Sequence, residues 1–210
     1  MKQRTIDILY EGEDWVIINK PAGLPVQPGE AVSANLVDEL TGIWGYPPHL
    51  VHRLDRDTGG CLVVGRTGKA AARLSKILAD PASRKTYLAV VKGVPTDPSG
   101  EIDETIEVHG VKKRAVTRWK LVRPLGGLCS LLEIGLDTGR MHQIRIHLAK
   151  NGHPLAGDDR HGDFPFNRLL KKEAGVKKLL LFAVRLELAG GIRVEAPWPA
   201  HLRAFCERYP

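Results

Sequence analysis

The 210-residue sequence has only three cysteines, Cys61, Cys129 and Cys206, and they lie far apart. An odd number without a C-x-x-C pair argues against a disulfide framework and against a zinc site built on thiolates. Cysteines of this kind are typical of reduced proteins. We therefore expect three free thiols in the core of an intracellular protein.

Long apolar runs, repeats and polar linkers are also missing. No stretch reaches 18 uninterrupted apolar residues, and the N-terminal MKQRTIDILYEGED turns acidic where a signal peptide needs its apolar segment. No internal repeat or low-complexity tract divides the chain. These absences predict a soluble, cytoplasmic protein with one domain over residues 1–210. No apolar stripe is left over for self-association, which makes a monomer the expected state.

Histidine spacing does not favour a metal site. His142 and His147 are five residues apart, whereas two ligands on one helical face need a spacing of three or four. His153 adds no helical acid as a third ligand. We expect no bound metal.

Charge is what the sequence has in excess. Lysine and arginine outnumber the acidic residues by 31 to 24, which gives a formal net charge of +7. A basic protein favours an anionic partner such as nucleic acid. A basic enzyme with no such partner fits the charge equally well, so the net charge alone does not distinguish these two classes.

The most informative stretch is VHRLDRDTGGCLVVG, from Val51 to Gly65. It sets Asp55 among His52, Arg53 and Arg56, directly before two glycines and an apolar strand. Neighbouring arginines favour the ionised carboxylate, which could then act as a nucleophile or an anchor. The alternative is a turn in which Asp55 and Arg53 form ordinary ion pairs.

Residue patterns predict many short strands and few helices. Expected strands cover Ile6–Tyr10, Trp15–Asn19, Leu62–Gly65, Arg84–Lys92, Ile102–Val108 (weak), Ala115–Val122, Leu128–Leu136, Leu179–Leu188 and Ile192–Ala196. Expected helices run from Thr67, which should be the N-cap, to Pro81, from Met141 to Gly152 and from Pro199 to Arg208. Residues 94–114 should otherwise be loop with a basic cluster, Lys112-Lys113-Arg114, which would meet phosphates beside a cleft. The irregular order predicts an α+β fold with a mixed, largely antiparallel sheet.

In the second helix, Met141 and Ile144 should face the core, while His142 and Arg145 share a neighbouring strip and Arg140 lies near the start. Tyr87, at the start of a strand, is by itself best interpreted as a core aromatic residue.

Four segments together resemble the RluA branch of the pseudouridine synthases: INKPAGLPV (18–26), HRLDRDTGGCLVV (52–64), RKTYLAVVKG (84–93) and TGRMHQIRIHLAKNGHPLAGD (138–158). The likeness continues in LLLFAVRLEL (179–188) and EAPWP (195–199). It implies an eight-stranded mixed sheet with flanking helices, a basic cleft and no cofactor. It also implies a catalytic domain without the separate N-terminal RNA-binding domain that many relatives carry.

The resemblance implies roles for individual residues. Asp55 matches the catalytic aspartate, Tyr87 the tyrosine that stacks near the target base, and Arg145 the arginine that forms a salt bridge with the aspartate. The positions expected to line the RNA cleft are His52, Arg53, Arg140, His142 and Gln143. Met141 and Phe182 depart from the usual Thr or Ser and His at their positions, which concerns local helix capping and RNA contact and leaves the reaction unaffected.

The function that the resemblance implies is isomerisation of uridine in a stem-loop of ribosomal or transfer RNA, with the base flipped out of the helix. Asp55 could act as a nucleophile or as a base, and the sequence leaves both open. A non-catalytic RNA-binding or ribosome-assembly module on the same fold is the main alternative. An unrelated hydrolase would need a second carboxylate or a metal near these motifs.

Overall fold

The computed structural model describes residues 5–28, 34–108 and 110–209. Within them the strands are β1 (Asp7–Glu11), β2 (Trp15–Lys20), β3 (His49–Leu50), β4 (Gly59–Gly65), β5 (Arg84–Lys92), β6 (Ser99–Val108), β7 (Val111–Leu125), β8 (Cys129–Leu136), β9 (Leu181–Leu188) and β10 (Ile192–Glu195). The helices are α1 (Leu36–Trp44), α2 (Gly68–Ala79), α3 (Gln143–Lys150), α4 (Phe164–Ala174) and α5 (Ala200–Arg208).

The chain divides into two compact units. The first contains the described chain up to Lys85 together with Ala183–Pro197, and the second contains Thr86–Phe182 and the chain from Trp198 onward. Because two compact units can belong to one domain, the single domain expected over residues 1–210 stays a prediction.

The first unit is built on the strand order β1-β2-β4-β9, with β3 added to β4 and β10 added to β9. β2 and β4 pair antiparallel from Trp15 opposite Gly65 to Lys20 opposite Gly60, and β4 is buried along its whole length. α2 packs on β4. Its N-cap is Thr67, whose hydroxyl accepts a hydrogen bond from the Ala70 N–H, as the sequence predicted.

The second unit is built on the order β5-β8-β7-β6. β5 has the predicted bounds, and its pairing with β8 is antiparallel from Thr86 opposite Gly135 to Lys92 opposite Cys129. α3 packs against β6 and β7. All three cysteines are buried and free, as expected.

The weak strand predicted at Ile102–Val108 is part of β6 (Ser99–Val108), but the prediction that residues 94–114 are otherwise loop was wrong from Ser99 onward. β6 and β7 form a long antiparallel hairpin with Ser99 opposite Lys120 at one end and Val108 opposite Val111 at the other. β6 buries only Ile102 and Ile106 among its ten residues. A strand that is polar on one face and sparsely apolar on the other gives a weak period-2 signal, which explains the error.

Two helices, α1 and α4, were missed although their end signals are in the sequence. Asn35 caps α1 by accepting a hydrogen bond from the Asp38 N–H, and Asp163 caps α4 by accepting from the Phe166 N–H. Both helices end at a glycine with positive φ, Gly45 and Gly175. Each buries only two side chains, four residues apart, so the apolar stripe is short.

α3 begins at Gln143 rather than at Met141, and Met141 is 38% exposed. Its expected core position was therefore wrong. The cause is His142, which takes a left-handed conformation (φ 54°) and turns the chain immediately before the helix.

The α+β class is confirmed, and every strand pair whose register is described is antiparallel. The described residues form ten strands instead of eight; the two-residue β3 and four-residue β10 each pair with a single neighbour. No helix in residues 5–28, 34–108 and 110–209 is long and apolar enough to span a membrane.

Candidate functional site

Asp55 lies in the loop between β3 and β4, where the Thr58 N–H donates to the Asp55 carbonyl at 3.2 Å and closes a turn. The Asp55 side chain is half-buried, while Arg53 and Arg56 are exposed. Arg56 forms an ion pair with Asp57, Nε to Oδ1 at 3.2 Å. Arg56 and Asp57 thus form an ordinary surface ion pair. The turn interpretation, in which Asp55 and Arg53 form such pairs, stays a prediction.

Lys20 is the residue of this region that sequence reasoning missed. Its side chain is 1% exposed, and its Nζ donates to the carbonyls of Pro21 (2.9 Å), Leu24 (2.7 Å) and Arg56 (3.1 Å). The Gly23 N–H donates to the same Arg56 carbonyl at 2.8 Å. Lys20 thus ties the loop after β2 to the loop that carries Asp55. The available signal was a lysine that ends a strand whose first four residues are apolar, directly before Pro21.

Burial lowers the pKa of Lys20 to about 7, although the nearby carboxylates of Asp57 and Asp55 act in the opposite direction. A buried ammonium is tolerated when hydrogen bonds replace its hydration. Three carbonyl oxygens do so here, because the ammonium has three hydrogens to donate.

His52 holds the other side of the same loop. Its Nε2 accepts a hydrogen bond from the Val63 N–H of β4 at 3.1 Å. Burial, together with the charge of Lys85, lowers the pKa of His52 to about 3. The ring is therefore neutral at pH 7 and carries its proton on Nδ1. The predicted RNA contact of His52 stays a prediction, and it would have to use Nδ1.

Tyr87 belongs to β5, lies opposite Ile134 of β8 and is 7% exposed. That burial fits the core aromatic interpretation. Its role beside a target base stays a prediction.

Arg145 and Asp158 form a buried ion pair in the second unit. The Arg145 Nε donates to Oδ2 at 2.8 Å and its Nη2 to Oδ1 at 2.6 Å. The two residues are 4% and 0% exposed. Burial raises the pKa of Asp158, but hydrogen bonds from Arg145 and from the backbone N–H groups of His161 and Arg160 outweigh burial and leave the pKa below its ordinary value.

Asp158 is the second residue that sequence reasoning missed, although it lies in the quoted segment. The pairing of Arg145 with Asp55 that the resemblance implied stays a prediction.

Three of the residues expected to line an RNA cleft surround the start of α3. Gln143 is buried; its Nε2 donates to the Val116 carbonyl (2.9 Å) and to the Thr117 hydroxyl (3.0 Å), while its Oε1 accepts from Thr138. The His142 Nδ1 lies 2.8 Å from the His161 Nε2. Arg140 is exposed. Gln143 thus connects α3 to β7, a structural role that the sequence did not indicate.

The remaining histidines of this stretch also have protein partners. His147 is buried with its Nδ1 3.0 Å from the Thr117 hydroxyl, and the His153 Nδ1 lies 3.1 Å from the Lys92 carbonyl oxygen. Within the part of the chain that the structure describes, no group of three or more His, Cys, Asp or Glu side chains could hold a metal ion.

The basic cluster of β7 is partly neutralised by β6. The Arg114 Nε donates to Asp103 at 2.8 Å and 3.1 Å, and Arg118 pairs with Glu101 and Asp137. Lys112 and Lys113 are exposed. Of the three expected phosphate contacts, Arg114 would therefore meet RNA only in competition with a carboxylate.

Comparison with known proteins points to one family. Residues 14–150 match a family described as RNA pseudouridylate synthase. An uncharacterised RNA pseudouridine synthase of Synechocystis sp. is 40% identical over 176 residues, which cover 73% of this chain and 54% of the relative. The ribosomal large subunit pseudouridine synthase D of Zymomonas mobilis is 36% identical, with coverage of 75% and 56%. The chain thus spans about half the length of these two relatives.

Two further matches cover more of both chains. The ribosomal large subunit pseudouridine synthase C of Escherichia coli is 34% identical over 218 residues, which cover 93% of this chain and 67% of the relative. The solved structure of human RNA pseudouridylate synthase domain containing 4 matches with a TM-score of 0.80 at 25% identity, covering 96% of this chain and 92% of that one.

Proposed function

The chain belongs to the RNA pseudouridylate synthase family, and from this premise we propose that it isomerises uridine to pseudouridine in RNA. The observation that carries the proposal is the family match over residues 14–150, which includes the Asp55 loop and α3. The names of the relatives suggest large-subunit ribosomal RNA as substrate. A stem-loop of ribosomal or transfer RNA is accordingly the proposed partner.

The reaction suits a site built from protein side chains alone. The bond from the ribose anomeric carbon to N1 of uracil breaks, the uracil rotates, and the same carbon forms a bond to C5, whose proton is then lost while N1 gains one. Atoms and electrons balance without a co-reactant, so no cofactor is required. A carboxylate can attack the anomeric carbon or remove a neighbouring sugar proton, and we assign this role to Asp55.

We assign Tyr87 to stacking near the target base, and Arg145 to the salt bridge with the catalytic aspartate that the resemblance implies. His52, Arg53, Arg140, His142 and Gln143 are proposed RNA contacts. Unstacking the uridine costs a few kcal/mol, which phosphate contacts and base stacking offset. The net charge of +7 supplies a sequence-independent attraction to phosphates.

The decisive experiment compares Asp55→Asn with Asp14→Asn. Asp14 is a matched control, because it is a carboxylate of the same unit that pairs with Arg73 on the surface. Each purified protein is incubated with RNA from a strain that lacks the gene, and pseudouridines are then mapped. We expect new pseudouridines with wild type and Asp14→Asn and none with Asp55→Asn, while RNA affinity stays within about threefold.

Two results would contradict the proposal. Substantial turnover by Asp55→Asn would remove the assigned role of this carboxylate. Failure of the wild type to modify any uridine, with RNA binding intact, would support the non-catalytic RNA-binding module instead.

A further inference from the structure

The Arg145–Asp158 pair has a geometry that restricts the arginine to one orientation. The two carboxylate oxygens of Asp158 accept hydrogen bonds from Nε and Nη2, which form the side edge of the planar guanidinium. A fork-to-fork pair of this kind fixes the plane of the group as well as its position. The end edge, formed by the two Nη atoms, is then aimed in a fixed direction away from Asp158.

Hydrogen bonds fix both the side chain and the backbone of Asp158. The Asp158 Oδ1 accepts from the N–H groups of Arg160 and His161, both at 2.9 Å. Asn167 donates to the Asp158 carbonyl at 2.8 Å and accepts from the Gly157 N–H at 2.9 Å. Gly157 has a φ of 75°, and a Cβ there would lie 2.1 Å from the Lys178 carbonyl oxygen. The carboxylate therefore has little freedom to turn.

The same turn also holds the first residue before α3. The His161 Nε2 lies 2.8 Å from the Nδ1 of His142, three residues before Arg145. His142 is the only non-glycine residue with a positive φ in the described chain. Such a conformation costs about 1–3 kcal/mol and persists only where its surroundings impose it. The turn from Asp158 to His161 thus contacts both the start of α3 and the side chain of Arg145.

We propose that Asp158 is a positioning residue: it holds the Arg145 guanidinium in the single orientation that the reaction requires. The inference rests on the proposed function, since it concerns the same reaction. A buried ion pair adds little net stability compared with an apolar pair, but it gives the arginine a unique geometry. Misplacing a reacting or stabilising group by about 1 Å can cost about 100-fold in rate.

Three variants test the role of Asp158. Asp158→Asn removes the charge, and Asp158→Glu keeps the charge but moves the carboxylate by one methylene. Asp159→Asn is the matched control, because Asp159 is the exposed neighbour whose Oδ1 lies 3.6 Å from the same Nη2. The measurements are the single-turnover rate at saturating RNA, the dissociation constant for RNA and the thermal unfolding midpoint.

Positioning predicts that both Asp158 variants lose about 100-fold in single-turnover rate while RNA affinity changes by less than about threefold. Asp159→Asn should retain the wild-type rate. A loss in Asp158→Asn alone, with Asp158→Glu at the wild-type rate, would overturn the proposal, because charge rather than position would then matter. A loss that only follows the folded fraction would overturn it as well.

An NMR measurement tests the orientation without activity. The Nε–H signal of Arg145, assigned with Arg145→Lys, should exchange slowly in the wild type and in Asp159→Asn and rapidly in Asp158→Glu. If the wild type modifies no RNA, the proposed function fails, yet the signal still decides whether Asp158 orients Arg145. If turnover is normal and exchange is unchanged in Asp158→Glu, the proposed function survives and the positioning role is wrong.

Discussion

The two units hold their candidate functional side chains in opposite ways. In the first unit a buried cation, Lys20, contacts the backbone carbonyl that follows Asp55 and so fixes the path of the loop. In the second unit a buried carboxylate, Asp158, contacts the side chain of Arg145 itself. The Lys20 contacts are independent of the side chains at the bonded positions, whereas the Asp158 contact requires an arginine at position 145.

The two buried ions also differ in how burial is compensated. The three hydrogen-bond acceptors of Lys20 are neutral carbonyls, and burial still lowers its pKa to about 7. Asp158 faces a full opposite charge and two backbone donors, which keep its pKa below the ordinary value despite burial. Lys20 should therefore respond to pH near neutrality, and Asp158 only in acid.

The largest loss of stability and activity is expected from Lys20→Met, which removes the buried cation that holds the Asp55 loop. Methionine keeps the apolar stem but removes the donor to the carbonyls of Pro21, Leu24 and Arg56, of which that of Arg56 keeps a second donor, the Gly23 N–H. A buried acceptor that loses its donor costs about 1–3 kcal/mol. We expect the free energy of unfolding to fall by about 3 kcal/mol or more, and single-turnover activity by about 100-fold as the Asp55 loop moves. Urea titration and the turnover assay measure both effects.

Lys69→Met is the control for Lys20→Met, because Lys69 is an exposed lysine of the same unit. It should leave both quantities near wild type. Normal turnover in Lys20→Met would show that the Asp55 loop keeps its conformation without this cation.

The pH dependence of unfolding sharpens the difference between the two ions. Between pH 7 and 10.5 the unfolded chain binds more protons at Lys20 than the folded chain, because the folded pKa is lowered from 10.5 to about 7. Stability should therefore rise with pH across this window, by up to about 1.4 kcal/mol per unit. The slope is measured as wild type minus Lys20→Met, and a flat difference would mean that Lys20 titrates as an exposed lysine does.

His52 should make stability depend on pH in the acid range. Its hydrogen bond to the Val63 N–H connects the Asp55 loop to β4. Its pKa is lowered from 6.5 to about 3, so the unfolded chain binds the extra proton between these values. Stability should fall as pH falls from 6.5 toward 3, by up to about 1.4 kcal/mol per unit. His52→Gln should lose this dependence, and the exposed His49→Gln should keep it. Equal acid slopes in the two variants would contradict the neutral state of the His52 ring.

Much of the fold and part of the site followed from local signals. The bounds of β5, the Thr67 cap of α2 and the position of Asp55 in a loop before an apolar strand needed only neighbouring residues. The contacts that hold the candidate residues in place did not follow from local signals. Lys20 meets a carbonyl 36 residues away, and Arg145 meets a carboxylate 13 residues away across a turn. Contacts of this kind depend on how loops fold back, which no periodicity encodes.

The smallest expected effect concerns Arg114, which also pairs with an aspartate but on the surface. Exposed pairs contribute little to stability, so Asp103→Asn should leave the free energy of unfolding nearly unchanged, in contrast to Asp158→Asn. The released guanidinium should bind RNA phosphate, so affinity should rise and the slope of log K against log salt should steepen by up to about 1. Binding measured at several salt concentrations checks this. An unchanged slope would mean that Arg114 does not meet the RNA backbone, and the phosphate contacts of β7 would then be left to Lys112 and Lys113.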